Sequence, residues 1–218
     1  MPNNNPNCEY RAGTPALAPV KIEPLKGIIE GRPIVFNQRT NIADYFYEEI
    51  APGALDSADL SDVLLQINHN DGMIPLARHR RGKRSTMDIA IDEAGMSITA
   101  QLDVENNTDA KMLCSAVSRG DVEGMSFAFW IEVEGDEWSG VEAPMPVRRI
   151  TKIRKVFEVS AVNHPAYPQT NIGARSALPL DNAKRALDNA RKAALDNGKP
   201  AKLNLEKAKF LFLEEQKQ

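Results

Sequence analysis

Three histidines and two cysteines are the few side chains of this 218-residue chain that could trade protons or act as strong nucleophiles near neutral pH. His69 lies in Ile67-Asn68-His69-Asn70-Asp71-Gly72, where an apolar run gives way to turn residues. A strand rim is where a rigid frame holds catalytic groups, and free imidazole titrates in the range a general base needs. Ser126 follows Gly120 and Gly124 and enters the apolar run Met125 to Phe129. A nucleophilic serine needs a base within reach and backbone N–H donors facing the developing oxyanion, and a glycine just before the strand allows close backbone approach. Gly-x-Ser is nevertheless short, and Ala128 stands where a Gly-x-Ser-x-Gly elbow would place its last glycine. On pattern alone, Ser126 is better explained as a buried strand serine, and His69 as a structural histidine at a strand end.

Glu158 sits in the β-branched run Val156-Phe157-Glu158-Val159-Ser160-Ala161-Val162. A buried acid there needs a partner. It could orient the imidazole of His69, or it could pair with Arg148, Arg149 or Arg154. Glu48, Glu49 and Asp44 are further acids on a partly apolar segment. His79 belongs to Arg78-His79-Arg80-Arg81-Gly82-Lys83-Arg84, which reads as an exposed basic loop. Cys8 and Cys114 are too far apart in sequence for a zinc motif, and a reducing compartment disfavours a disulfide between them.

The elements that must position these groups are mostly strands. Ile28 to Phe36 and Val63 to Ile67 are apolar runs, and Met96 to Val104 alternates with period two. Met125, Phe127, Phe129, Ile131 and Val133 alternate likewise, turning Ser126, Ala128, Trp130 and Glu132 to the other face. Val147 to Val162 gives one or two more strands. One helix is well signalled, with Asn107 or Thr108 as cap, an apolar stripe of Met112, Leu113, Ala116 and Val117, and Gly120 as its end. Shorter helical stretches are expected around Ala43 to Ile50 and Ser57 to Leu65. Many strands with few helices suggest a closed or nearly closed antiparallel sheet with helices outside it, a mainly β, α+β protein.

Composition divides the chain into a leader (1–24) rich in Asn, Pro and Gly, a strand-rich domain (25–175) and a helical tail (176–218). The leader reads as flexible. The tail carries AKRALDNA and RKAALDN in near repeat, with Ala183, Leu187, Ala190 and Ala194 on one helical face. It reads either as an extension docked on the domain or on a twin, or as a scaffold-like segment. The hydrophobic fraction of 42% and charged fraction of 26% suit a soluble domain. A net charge of −3 argues against a general nucleic-acid binder. No apolar run approaches the roughly 18 residues of a membrane span, and the N-terminus lacks a signal-peptide core, so the protein is expected in the cytosol.

Taken in order, several short segments resemble the prohead protease family of tailed bacteriophages, over Gly27 to Arg175. They are Ile34-Val35-Phe36-Asn37, Glu48 to Leu55, Asn68-His69-Asn70, Ile74 to Arg78 and Asp92 to Met96, followed by Gly124-Met125-Ser126-Phe127, Arg149-Ile150 and Glu158 to Pro168. Leu55 stands where family members usually have Phe.

The resemblance implies a small antiparallel β-barrel wrapped by helices, similar to herpesvirus capsid-assembly proteases. It implies a serine endopeptidase with Ser126 as nucleophile, His69 as base and Glu158 as third member, with Glu48 and His164 as alternatives for that last role. No metal or organic cofactor is implied. The implied substrates are the scaffolding part of the major capsid protein and the protease itself, inside the procapsid in the host cytoplasm. No membrane or nucleic-acid partner is implied, and the oligomeric state stays open. Backbone N–H groups, with Arg148 or Arg149, are candidates to hold the oxyanion. The rival reading is a non-enzymatic scaffold or assembly protein with the same fold.

Overall fold

The computed structural model describes residues 9–12, 21–23, 27–163, 181 and 183–195. In chain order its strands are β1 (Glu9–Ala12), β2 (Lys21–Glu23), β3 (Ile28–Val35), β4 (Thr40–Ile42), β5 (Phe46–Ile50), β6 (Asp62–Ile67), β7 (Ala77–Arg80), β8 (Met87–Asp92) and β9 (Gly95–Gln101). Helix α1 (Thr108–Arg119) follows, then β10 (Gly124–Ile131), β11 (Asp136–Ser139), β12 (Val147–Ile150) and β13 (Ile153–Val162). A second helix, α2, covers residues 183–195. None of the described helices is long and apolar enough to cross a membrane.

The strands form three sheets, ordered β1-β10-β13-β6-β7, β2-β3-β9-β8 and β11-β12-β5-β4. The α+β, mainly β expectation holds, but among the described residues the sheets do not close into a barrel. Pro33 has no N–H for the ladder, and the β3–β9 register breaks between Gly31 and Ile34. Beyond that break a single bridge, Phe36 to Ile50, joins neighbouring sheets. Nor is the pairing all antiparallel, since β5–β12 and β6–β13 run parallel. Such pairs need long crossovers, and here each pair spans much of the chain.

One core fills the space between the sheets. Phe127 and Phe129 stack at 4.9 Å between ring centroids. Around them lie Ile34, Leu65, Met96, Ile153, Val156 and Val159, all essentially without exposure. Gly95, at φ 140°, closes the β8–β9 turn against β3, and a Cβ there would lie 2.0 Å from the Ile34 carbonyl oxygen. Only glycine fits such a backbone approach.

Helix α1 is capped by Asn107, whose side chain accepts from the N–H groups of Asp109 and Ala110, and it ends at Gly120 in the left-handed region. Its buried face is Ala110, Leu113, Cys114 and Val117, whereas Met112, expected inside, is exposed. Positions i, i+3, i+4 and i+7 make the narrower stripe that meets the core.

The two segments expected to be helical are a turn and a strand each. In β5, Phe46, Glu48 and Ile50 face inward, and a charged residue in the middle of that triplet conceals its period of two. Glu48 is buried because Arg148, also buried, donates to it at 3.2 Å and to Asp136 at 2.7 Å. Arg148→Met removes the cation facing a buried acid and should cost about 3–5 kcal/mol in urea unfolding. The double change Glu48→Leu/Arg148→Met should recover most of that loss. A single-mutant cost below about 1 kcal/mol would refute a structural role for the pair.

Two short strands, β1 and β2, lie within the expected leader. At the other end, α2 rests on the third sheet. Ala183 joins Ile42 and Phe46 in a small cluster beside Trp138, Lys184 Nζ sits 4.0 Å from the Tyr45 ring centroid, and Arg191 Nε donates to the Val141 carbonyl. The described part of the tail is therefore docked on the domain. Leu187 is buried, Ala190 half-buried and Ala194 exposed, so only the first half of the expected apolar face is covered.

Candidate active site

After β6 the chain turns through Asn68 (φ 50°) and His69 (φ 54°), both left-handed. That conformation costs about 1–2 kcal/mol per residue outside glycine, and the cost is offset by bonds to β13. Asn68 N–H donates to the Ala161 carbonyl at 2.9 Å, and Asn163 N–H donates back to Asn68 Oδ1 at 3.0 Å. His69 N–H donates to Ser160 Oγ at 3.1 Å. The turn thus aims the imidazole across β13 toward β10.

Strands β10 and β13 pair antiparallel, with Ser126 opposite Ser160 and Ala128 opposite Glu158. Residues two apart on a strand share a face, so Ser126, Glu158 and Ser160 stand together on one side of the sheet. Met125, Phe127, Phe129, Val159 and Ala161 fill the core on the other. His69 Nε2 lies 2.7 Å from Ser126 Oγ, and its Nδ1 lies 2.5 Å from Glu158 Oε1. The second Glu158 oxygen accepts from Ser160 Oγ at 2.5 Å. Ser126 is 0% exposed and Glu158 3%, while the His69 side chain keeps 24%. Solvent therefore reaches the imidazole and not the acid behind it.

An ionised carboxylate only accepts hydrogen bonds, so Glu158 fixes the ring proton on Nδ1 and leaves Nε2 as acceptor for the serine hydroxyl. This arrangement can draw the proton from Ser126 as its oxygen attacks an electrophile, and it stabilises the imidazolium that results.

The structure brings together Ser126, His69 and Glu158. It distributes the other candidates elsewhere. Glu48 lies on β5 of the third sheet, against Arg148. Glu49 accepts from Arg39 and Arg149, and Arg149 also donates to Asn37. Asp44 accepts from the Asn41 amide. Arg154 stacks over Trp130. His79, expected in a loop, is in β7, where its Nδ1 donates to the Met87 carbonyl at 3.1 Å. Burial in α1 pushes the Cys114 thiol up, which makes it a poor nucleophile. His164 and Cys8 lie outside the described residues.

Sequence reasoning passed over Ser160. The signal was present, because Glu158-Val159-Ser160 places two polar side chains on one face of a strand whose other face is apolar. What could not be read was that Ser160 would meet both the carboxylate and the turn carrying His69.

An imidazole between a serine hydroxyl and a buried carboxylate, on one face of a sheet in an α+β frame, is the arrangement that hydrolases of the serine-nucleophile class use. Among known families, the one described as Caudovirus prohead serine protease matches residues 19–185. The chain belongs to that family, whose members are serine proteases of capsid maturation in tailed bacteriophages. The match covers well over half of the chain and includes all three residues of the constellation. No curated protein and no solved structure matches it.

Proposed function

We propose that the protein is a serine endopeptidase that cleaves the scaffolding part of the major capsid protein, and itself, inside the prohead. The observation that carries this reading is the unbroken chain of contacts from Ser126 through His69 to Glu158 in a member of the prohead protease family. Ser126 Oγ attacks the scissile carbonyl while His69 Nε2 takes its proton. Glu158 holds the ring through Nδ1 and balances the imidazolium charge. Backbone N–H groups near the start of β10 are the candidates to receive the oxyanion. The tetrahedral intermediate collapses as His69 returns the proton to the leaving amine. Water, deprotonated by the same imidazole, then releases the acyl group from Ser126. His69 carries each proton, the last one back to Ser126 Oγ as the acyl group leaves, while Glu158 only holds the ring, and no step calls for a cofactor.

Co-expression with the cognate capsid protein tests this directly. Intact-mass measurement should show the capsid protein shortened by its scaffolding segment, and the protease itself shortened. Full-length masses for both, in particles that have assembled, would favour the non-enzymatic scaffold.

Ser160 serves the reaction as a positioning residue, holding the backbone of His69 and one oxygen of Glu158. Ser160→Ala should lower kcat by about 10–100-fold with KM nearly unchanged, because the base is displaced and the substrate surface is not. A loss confined to KM, or no loss, would count against that role.

A further inference from the structure

The edge of β10 that faces away from β13 is covered by β1, with Ala12 opposite Ser126, Arg11 opposite Phe127, Tyr10 opposite Ala128 and Glu9 opposite Phe129. Without β1, the nucleophile's strand would be the edge of its sheet. His69 reaches Ser126 from the opposite flank, since the base rises from the end of β6, beyond β13. The flank on the side of Ser126 away from the base is the one that β1 takes. Neighbouring strands are about 4.8 Å apart, which places the backbone of any chain paired there within reach of a serine side chain at register position 126. With β1 in place, Ser126 has no exposure at all.

We propose that this outer edge of β10 is the substrate site: it binds an extended polypeptide as an added antiparallel strand, and β1 is a segment of this same chain standing in for that peptide. The assignment rests on Ser126 being the nucleophile, and it deepens the endopeptidase reading by stating how substrate is held. An exposed ladder of N–H and C=O groups binds extended peptides largely without regard to side chain, with selectivity left to alternate positions. β1 spans four residues against the eight of β10, so it occupies the centre of the edge and pairs with neither end. A longer extended substrate would pair with Gly124 and Met125 as well, which gives it more ladder bonds than the resident strand. Because β1 is tethered, it competes at a high effective concentration, and an incoming peptide must displace it.

The test uses the full chain carrying Ser126→Ala, with and without the pair Tyr10→Pro and Arg11→Pro. Successive N–H groups of a strand point to opposite sides, so one of the two prolines must remove a donor facing β10. A dye-labelled synthetic peptide of residues 6–16 is the probe. It should bind the proline variant at least about tenfold more tightly than the chain with intact β1, as release of a tethered competitor requires. Equal affinity for both would overturn the proposal, as would no binding to a variant that still melts cooperatively. If the proline variant does not fold, hydrogen exchange on the Ser126→Ala chain decides. Saturating peptide should speed exchange at residues 9–12 while 124–131 stay protected, and unchanged protection at 9–12 with peptide bound would sink the idea. Displacement of β1 in a protein whose wild-type form cuts nothing would reject the protease reading and leave the peptide-binding edge standing.

Discussion

Ser126→Ala should abolish peptide hydrolysis, lowering kcat by about 10⁶-fold if the serine acts as one unit with its base. The substitution removes one oxygen from a fully buried site and leaves the β10–β13 ladder as it is. His69 loses its partner at Nε2 but keeps Glu158 at Nδ1 and the backbone bond to Ser160. The fold should therefore survive, with a cooperative melt close to that of the wild type. The rate is read with a peptide spanning the mapped cut in the capsid protein, and by intact mass after co-expression. A variant that still cuts within about tenfold of wild type would place the nucleophile elsewhere, since the residual rate left by binding and oxyanion contacts alone is far smaller than that.

Glu158→Gln should lower kcat by about 10⁴-fold while preserving the structure. Its amide oxygen can still accept from Ser160, and its NH2 group can face Nδ1. A donor at that place reverses the ring, putting the proton on Nε2, where it points at the Ser126 hydroxyl and can no longer take its proton. The negative charge that would balance the imidazolium is lost as well. Glu48→Gln is the comparison that separates the two buried acids. That side chain is held by Arg148 on another sheet, so its loss should appear in the unfolding free energy and change kcat by no more than a few-fold. The opposite pattern, with Glu48→Gln inactive and Glu158→Gln active, would transfer the orienting role to Glu48.

The family match and the site geometry bear on different parts of this picture. Membership supplies the reaction class and the setting in a maturing capsid. Register supplies the reason why these residues can meet. Ser126 and Glu158 are far apart in sequence but stand diagonally across adjacent strands, and β6 runs parallel to β13 so that its end delivers His69 beside them. The parallel pair matters here, because an antiparallel β6 would carry its C-terminal turn to the opposite end of β13.

Legible in the sequence were the strands whose apolar residues alternate openly and the capped helix, whereas Ser126 and His69 stood out only through the family resemblance, because pattern alone favoured structural roles for both. The strands and the helix depend on local properties, namely period and caps. The sequence also placed Glu158 inside an apolar run, where a lone acid needs a partner. It misread β5 because Glu48 occupies a core position, and only the distant Arg148 makes that burial tolerable. The same limit hid the parallel pairings, the open arrangement of three sheets, the place of Ser160 and the covering of β10 by β1. Those were decided by contacts between residues tens of positions apart, whose free energy is gained only once strands pair and a shared core forms. No local pattern records them.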